Sequence, residues 1–195
     1  SPDVRSVVIT GAGGMFCSGG NLQRLQSNRQ QPPEVQAQSI EGLHQWIETI
    51  RTYPKPIIAA VEGAAAGAGF SLALACDMVV AARDAVFLMA YSNVATELLM
   101  CGDKITAERL HALGLVNRLS NPGDALGTAL QLADRLNQRA PNALASIKEL
   151  LSDAAHQTLS QHLNSERDHF VKNLHHPNAG EGIAAFLEKR APRYE

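Results

Sequence analysis

The sequence predicts an α/β fold in which helices cover a sheet of parallel strands, followed by a C-terminal helical region. Short apolar or β-branched runs at 5–10, 57–61 and 78–82 have the composition of buried strands. A small-residue turn and a helix separate the second run from the third, and this order requires a parallel crossover. From Pro141 onward, apolar residues recur at helical spacing.

The first half of the chain divides as follows. The strand at 5–10 runs into a glycine turn at 11–20, and the polar stretch 23–33 is predicted to be a loop. A helix comes next, because apolar residues recur at helical spacing before two prolines end it. These residues are Ile40, Leu43, Ile47 and Ile50, then Pro54 and Pro56.

The later elements have recognisable ends. The strand 57–61 leads into a glycine- and alanine-rich turn at 63–69, after which a helix is predicted to begin near Phe70. Thr106 can cap a short helix that Gly114 stops. Asn121 followed by Pro122 is predicted to open the helix that contains 126–136.

Composition excludes several classes of protein. The 195 residues are 45% hydrophobic and 18% charged with a net charge of −2, which argues against disorder and against nucleic-acid binding. Only fourteen uncharged residues lie between Glu62 and Asp77, too few to span a membrane. Three widely spaced cysteines suggest neither disulfides nor zinc but reduced thiols in the cytoplasm, and no signal peptide is visible.

Two glycine-rich turns, 13–20 and 63–69, each follow a buried strand. The first matches neither a dinucleotide fingerprint nor a nucleophile elbow, because Phe16 stands where each motif needs glycine, and no Walker lysine follows. Small residues leave main-chain N–H groups accessible, so two converging turns could form a pair of donors for an oxyanion. The alternative is that both are tight packing turns.

Four ordered blocks of the sequence resemble the crotonase (enoyl-CoA hydratase/isomerase) superfamily. The segment 16–22 is similar to its F-x-[AS]-G-[AG]-[DN]-[IL] motif. The segments 55–77, 102–117 and 180–190 resemble its later blocks, so that the likeness covers nearly the whole chain. The resemblance implies a ClpP/crotonase-like fold with a ββα spiral core at 1–140 and a helical trimerisation region at 141–195, assembled as a homotrimer or hexamer.

The resemblance also implies an activity and a site. Members bind acyl-CoA thioesters and stabilise an enolate-like oxyanion with two main-chain N–H groups, which here are those of Gly20 and Ala68. Ser18, Asn21, Leu22 and Gln23 are expected to lie along the bound CoA. An enoyl-CoA hydratase or isomerase of fatty-acid or aromatic-acid breakdown is expected, with CoA as part of the substrate and no separate cofactor, metal, nucleic acid or membrane.

This sequence departs from the family pattern where hydratases carry two catalytic glutamates. Ser71 and Tyr91 occupy these positions, and neither is a good base at neutral pH, since a phenol ionises near pH 10. The glycine-rich loop that carries an acid in isomerase relatives is absent between Tyr91 and Glu97, and the strands that usually precede Val4 are also absent. The loop is either deleted or missing only from the chain as given.

Two functions of different classes therefore stay open. One is an acyl-CoA enzyme, and the other is a protein that binds CoA thioesters without acid/base groups; an RNA-binding member is disfavoured by the charge. Glu62 and Asp77 are expected to be structural, and Glu97 to face solvent or the sheet. The C-terminal histidines are expected in solvated or interface roles rather than as metal ligands: His156, His162, His169, His175 and His176.

Overall fold

The computed structural model describes residues 1, 3–88 and 103–195. In chain order, its elements in these ranges are β1 (Val7–Thr10), α1 (Leu22–Asn28), α2 (Pro33–Thr52), β2 (Ile57–Val61), β3 (Ala64–Ala66), α3 (Ala68–Ala75), β4 (Met78–Ala82), β5 (Val86–Leu88), β6 (Ile105–Thr106), α4 (Ala107–Ala112), β7 (Arg118–Ser120), α5 (Ala125–Asn137), α6 (Pro141–Asp153), α7 (Leu159–Leu174) and α8 (Pro177–Leu187).

Contacts divide the described chain into two compact units. The sheet unit consists of Val8–Arg51 and Ile57–Leu130, and the helical unit consists of Ser1–Val7, Thr52–Pro56 and Gln131–Glu195. The division at residue 140 that the sequence suggested stays a prediction.

The larger sheet has the strand order β1-β2-β4-β7, and β4 lies parallel to both β2 and β7. Every residue of β2 and the last four of β4 are buried, which explains why these strands are continuously apolar rather than alternating. The core is rich in alanine, with Ala59, Ala60, Ala81 and Ala82 fully buried. The predicted parallel crossover from β2 through α3 to β4 is confirmed.

A second sheet, of order β3-β5-β6, pairs β3 parallel to β5 and β5 antiparallel to β6. Since β2 neighbours β4 in one sheet and β3 neighbours β5 in the other, the order β2-β3-α3-β4-β5 forms a turn of a ββα spiral. The prediction of a plain turn over 63–69 is wrong at Ala64–Ala66, because pairing with Val86–Leu88 makes a strand of residues with no β preference of their own.

Three further predictions about element bounds are corrected. The loop predicted over 23–33 is confined to 29–32, because α1 extends to Asn28 and α2 begins at Pro33. The Asn21 side chain caps α1, accepting a hydrogen bond from the Arg24 N–H at 3.0 Å. Helix α3 begins at Ala68, two residues before Phe70. Helix α5 begins at Ala125 and not at the Asn121-Pro122 pair, which lies in the turn before it.

The predicted cap of α4 is confirmed, since the Thr106 hydroxyl accepts from the Arg109 N–H at 3.2 Å. Gly114 follows that helix with a φ of 79°, a conformation that favours glycine.

The helical unit contains α6, α7 and α8, as predicted, and asparagine side chains connect them. The Asn142 amide donates to Asn173 Oδ1 at 2.6 Å, and the buried Asn178 amide donates to Asn142 Oδ1 at 2.9 Å. The Glu195 N–H donates to Asn178 Oδ1 at 3.1 Å, which ties the last residue to the start of α8. Within the described ranges, no helix is both long enough and apolar enough to cross a membrane.

Candidate active site

The two glycine-rich turns are in direct contact within the sheet unit. The Phe16 N–H donates to the Glu62 carbonyl at 2.9 Å, and the Cys17 N–H donates to the Ala64 carbonyl at 3.1 Å. In return, the Ala66 N–H donates to the Cys17 carbonyl at 2.9 Å. The end of the first turn therefore lies alongside β3 as an isolated parallel bridge. The two glycine-rich turns are therefore in contact, while their role as a pair of oxyanion donors stays a prediction.

The contact continues to Gly19, which precedes one of the two predicted donors. Gly19 has a φ of +89°, and a Cβ there would lie 2.7 Å from the Ala66 carbonyl oxygen and 3.5 Å from the Ala68 nitrogen. A side chain at residue 19 would thus overlap the second turn. The segment that leads to Gly20 passes close to the first residue of α3.

Both predicted donor groups are free in the described part of the chain. Neither the Gly20 N–H nor the Ala68 N–H donates a hydrogen bond to another described residue, whereas the neighbouring Gly67 N–H donates to the Leu88 carbonyl at 2.8 Å. Ala68 is the first residue of α3, where N–H groups have no partner within the helix. Gly20 is exposed and Ala68 is half-buried, so both can meet a ligand.

Ser71 lies one turn along α3 from Ala68, on the same side of the helix. It is half-buried, and its hydroxyl donates to the Gly67 carbonyl at 3.5 Å, at the long limit of a hydrogen bond. Beneath this part of α3, the rings of Phe70 and Phe87 pack with centroids 5.0 Å apart. Tyr91 and Glu97 lie outside the described residues.

The four residues expected along CoA form the end of the first turn and the start of α1. Ser18 and Gln23 are exposed, and the Asn21 carboxamide is engaged as the α1 cap. The Leu22 side chain is 79% exposed although it is a large apolar group. Their predicted contact with CoA stays a prediction.

Two acids that flank the second turn hold backbone groups. The Glu62 carboxylate accepts from the Ala125 N–H at 2.7 Å and from the Gly123 N–H at 3.1 Å, so it caps the N-terminus of α5. The Asp77 carboxylate accepts from the Ile57 N–H at 2.7 Å. The expectation that both acids are structural is confirmed by these bonds.

The side chains of two of the five C-terminal histidines make hydrogen bonds inside the helical unit. His169 Nδ1 lies 3.0 Å from Ser146 Oγ, and His176 Nδ1 accepts from the Asn178 N–H at 3.1 Å, capping α8. Among residues 1, 3–88 and 103–195, no three His, Cys, Asp or Glu side chains lie close enough together to hold a metal ion. Cys17 and Cys76 are reduced thiols, and the Cys76 thiol donates to the Leu72 carbonyl at 3.4 Å; Cys101 is outside these ranges.

Sequence reasoning missed one structural feature of this site, the approach of Gly69 to Cys17. A Cβ at Gly69 would lie 2.3 Å from the Cys17 carbonyl oxygen. The signal was present, because glycine is unfavourable inside a helix and Gly69 is the second residue of α3.

The enoyl-CoA hydratase/isomerase family profile matches residues 1–94 and 91–195. The two matches meet where the sequence analysis located a missing segment. The alignment with carnitinyl-CoA dehydratase of Proteus mirabilis covers all of this chain and 82% of the relative at 28% identity. It spans 219 positions against 195 residues, so that relative carries segments that this chain lacks.

Other known proteins are similar along nearly the whole chain. A 1,2-epoxyphenylacetyl-CoA isomerase of Escherichia coli K12 is 32% identical over 98% of this chain and 81% of its own length. An enoyl-CoA hydratase structure from Polaromonas sp. JS666 is 64% identical, with a TM-score of 0.96 over 100% of this chain and 83% of that chain. One from Bacillus anthracis is 27% identical, with a TM-score of 0.91 over 100% and 82%. The chain belongs to the enoyl-CoA hydratase/isomerase family and has the crotonase fold.

Proposed function

We propose that this chain binds an acyl-CoA thioester and stabilises the enolate-like oxyanion formed at its carbonyl with the N–H groups of Gly20 and Ala68. The observation that carries the proposal is that both N–H groups are unpaired within the described chain and belong to turns in contact. The partial positive charge at the N-terminus of α3 acts in the same direction as the Ala68 N–H.

The two donors act on the transition state more than on the bound substrate. As the α-carbon loses its proton or water adds to the double bond, negative charge develops on the thioester oxygen, and hydrogen bonds to that oxygen become stronger. Because the donors are main-chain groups in packed turns, they need little reorientation as the charge develops. Each such donor contributes roughly 3–4 kcal/mol to transition-state stabilisation.

The proton-transfer group is the part of the reaction that the described residues leave open. Ser71 is at a position where hydratases of the family carry glutamate, and a hydroxyl bonded to the Gly67 carbonyl does not accept a proton at neutral pH. The relatives include an isomerase and a dehydratase of CoA thioesters, which have the thioester in common but not the reaction. We therefore propose an enzyme of the broad hydratase or isomerase class. It would act in fatty-acid or aromatic-acid breakdown in the cytoplasm.

For binding, we assign Ser18, Asn21, Leu22 and Gln23 to the CoA moiety. The exposure of Leu22 favours this assignment. Leu22 is an apolar side chain at the first position of α1, and covering it with a ligand contributes favourably to the free energy of binding. Leu25 reinforces that surface, since its Cδ1 lies 3.4 Å from the position of a Cβ built on Gly20.

We also propose a homotrimer, or a hexamer made of two trimers, assembled through the helical unit. Large apolar side chains on α7 and α8 face solvent, with Phe170 65% exposed and Phe186 83% exposed. An apolar groove of about 590 Å³ lies beside them, within the helical unit. Exposed apolar surface of this kind marks an interface. Light scattering coupled to size exclusion should give three or six times the chain mass, and a monomer would contradict the assembly.

Turnover of a panel of short and aromatic enoyl-CoA thioesters, measured together with equilibrium binding of saturated acyl-CoA, tests the function. Turnover of any member supports an enzyme. Binding without turnover supports the second candidate, a thioester-binding protein without acid/base groups, which Ser71 at a glutamate position favours. Absence of both binding and turnover would reject the two functions together.

A further inference from the structure

At Gly69 the second turn comes so close to Cys17 in the first turn that no side chain fits between them. Gly69 is buried at the second position of α3. A Cβ built on it would lie 2.3 Å from the Cys17 carbonyl oxygen, 2.6 Å from the Cys17 Cβ and 2.9 Å from the Cys17 carbonyl carbon. Two of these three atoms are main chain, so no change of side-chain rotamer could make room.

Cys17 cannot move freely away from Gly69, because two hydrogen bonds hold its backbone to β3. Its N–H donates to the Ala64 carbonyl at 3.1 Å, and its carbonyl accepts from the Ala66 N–H at 2.9 Å. The Cys17 backbone is thus bonded to β3 and in contact with the first turn of α3. Moving it away from Gly69 would strain or break the bond to Ala66.

The backbone conformation of Gly69 does not explain why glycine stands there. Unlike Gly19 and Gly67, Gly69 has no positive φ, and alanine is a better helix former than glycine at such a position. Glycine is therefore required at residue 69 because the Cys17 backbone lies close to it, and not because of the φ angle. Because glycine has no methyl group, the Cys17 backbone can occupy the space that an alanine side chain would fill.

We propose that Gly69 is a positioning residue, which sets the separation between the Gly20 and Ala68 N–H groups by allowing α3 to contact the backbone of Cys17. Ala68 is adjacent to Gly69, and Gly20 follows Cys17 by three residues, so the contact joins the two donors by short segments. A methyl group at residue 69 requires a displacement of roughly 1 Å to restore an ordinary contact. A misplacement of that size can reduce a rate by about 10²-fold.

This inference rests on the proposed oxyanion site and is tested by the state of the bound carbonyl. Butyryl-CoA labelled with ¹³C at its thioester carbonyl is a saturated ligand that cannot be hydrated, and hydrogen bonds to its oxygen lower the carbonyl stretching frequency. Infrared difference spectra and equilibrium Kd are measured for the unaltered protein, for Gly69→Ala and for the matched control Gly42→Ala. The control makes the same change within α2, where nothing lies within 4 Å of the added Cβ.

In the unaltered protein and in Gly42→Ala, the band should lie below that of free butyryl-CoA. In Gly69→Ala it should return toward the free position while Kd changes by less than about threefold, because the residues assigned to CoA all lie on the Cys17 side of the contact. With an enzymatic substrate, kcat should fall by about 10²-fold with little change in KM. An unchanged band in a folded Gly69→Ala protein would overturn the inference.

If Gly69→Ala does not fold, the same band is measured in Cys17→Val. This substitution adds a branch to the side chain at the Cβ of Cys17, which lies next to Gly69. It should move the band in the same direction by a smaller amount, and an unchanged band in a folded Cys17→Val protein would overturn the inference. If the unaltered protein neither binds butyryl-CoA nor shifts its band, the proposed function itself fails. That outcome is distinct from failure of the positioning role, in which binding and the shift persist in every variant.

Discussion

Replacing Ala68 by proline tests the oxyanion donor directly, because no ordinary side-chain substitution removes a main-chain N–H. Ala68 is the first residue of α3, where proline is well tolerated, and this chain already has proline at the start of α6 and α8. Since the Ala68 N–H bonds to no other described residue, the substitution removes no hydrogen bond from the described fold. The substitution should instead remove roughly 3–4 kcal/mol of transition-state stabilisation, which lowers kcat by 10²–10³-fold.

The matched control for this prediction is Ala68→Gly, which loses the methyl group and keeps the N–H. Steady-state kinetics on the best thioester of the panel should show kcat of the glycine variant within a few-fold of the parent. Melting temperatures of both variants should stay near that of the parent, which separates lost catalysis from lost folding. A folded Ala68→Pro protein with kcat within threefold of the parent would refute the assignment of this N–H to the oxyanion.

Three other predictions concern binding and stability. Leu22→Ser should weaken acyl-CoA binding about tenfold, as measured by calorimetry. The control Leu159→Ser changes a leucine that is 76% exposed at the first position of α7, and it should leave binding unchanged. Equal effects of the two substitutions would contradict the assignment of Leu22 to CoA. Glu62→Ala should lower the free energy of unfolding by about 2 kcal/mol in urea titrations, because the cap of α5 loses both hydrogen bonds; no loss would contradict that role. The hydrogen bond from Arg190 lowers the pKa of Glu181 to about 2, so its stabilisation is complete above pH 4.5 and lost as pH falls through 2. The melting temperature of Glu181→Gln should therefore lie below the parent's at pH 7 and converge with it near pH 2, and a constant difference would contradict the ion pair.

The elements that the sequence located best are those with a continuous apolar composition. Strands β2 and β4 have the predicted bounds. A strand that is buried on both faces is continuously apolar, so its first and last residues are visible in the sequence. Strand β3 was missed because its three alanines prefer no strand conformation and depend on pairing with β5. Helix α1 was missed because it is only seven residues long and mostly polar, with Leu22 and Leu25 as its apolar residues.

For the site, the sequence predicted the meeting of the turns but not how closely they meet. Glycine at 19 and 69 could be noticed in the sequence, yet only coordinates show that a Cβ at each would overlap the other turn. The role of Glu62 as the cap of α5 was equally hidden, because its partners Gly123 and Ala125 are about sixty residues further along the chain. Contacts between distant segments depend on the fold, and no local pattern encodes them.

The features that identify the family differ from those that determine the reaction. The oxyanion donors are backbone groups, whose positions follow from glycine spacing and strand pairing, so many sequences can maintain them while side chains change. Proton transfer depends instead on one or two side chains, and here Ser71 stands where a glutamate would act. Relatives at 28–32% identity accordingly include both a dehydratase and an isomerase. If Ala68→Pro and Gly69→Ala both reduce the carbonyl shift while Ser71→Ala leaves turnover unchanged, then the base lies outside α3, and thioester activation and proton transfer are separable functions of this fold.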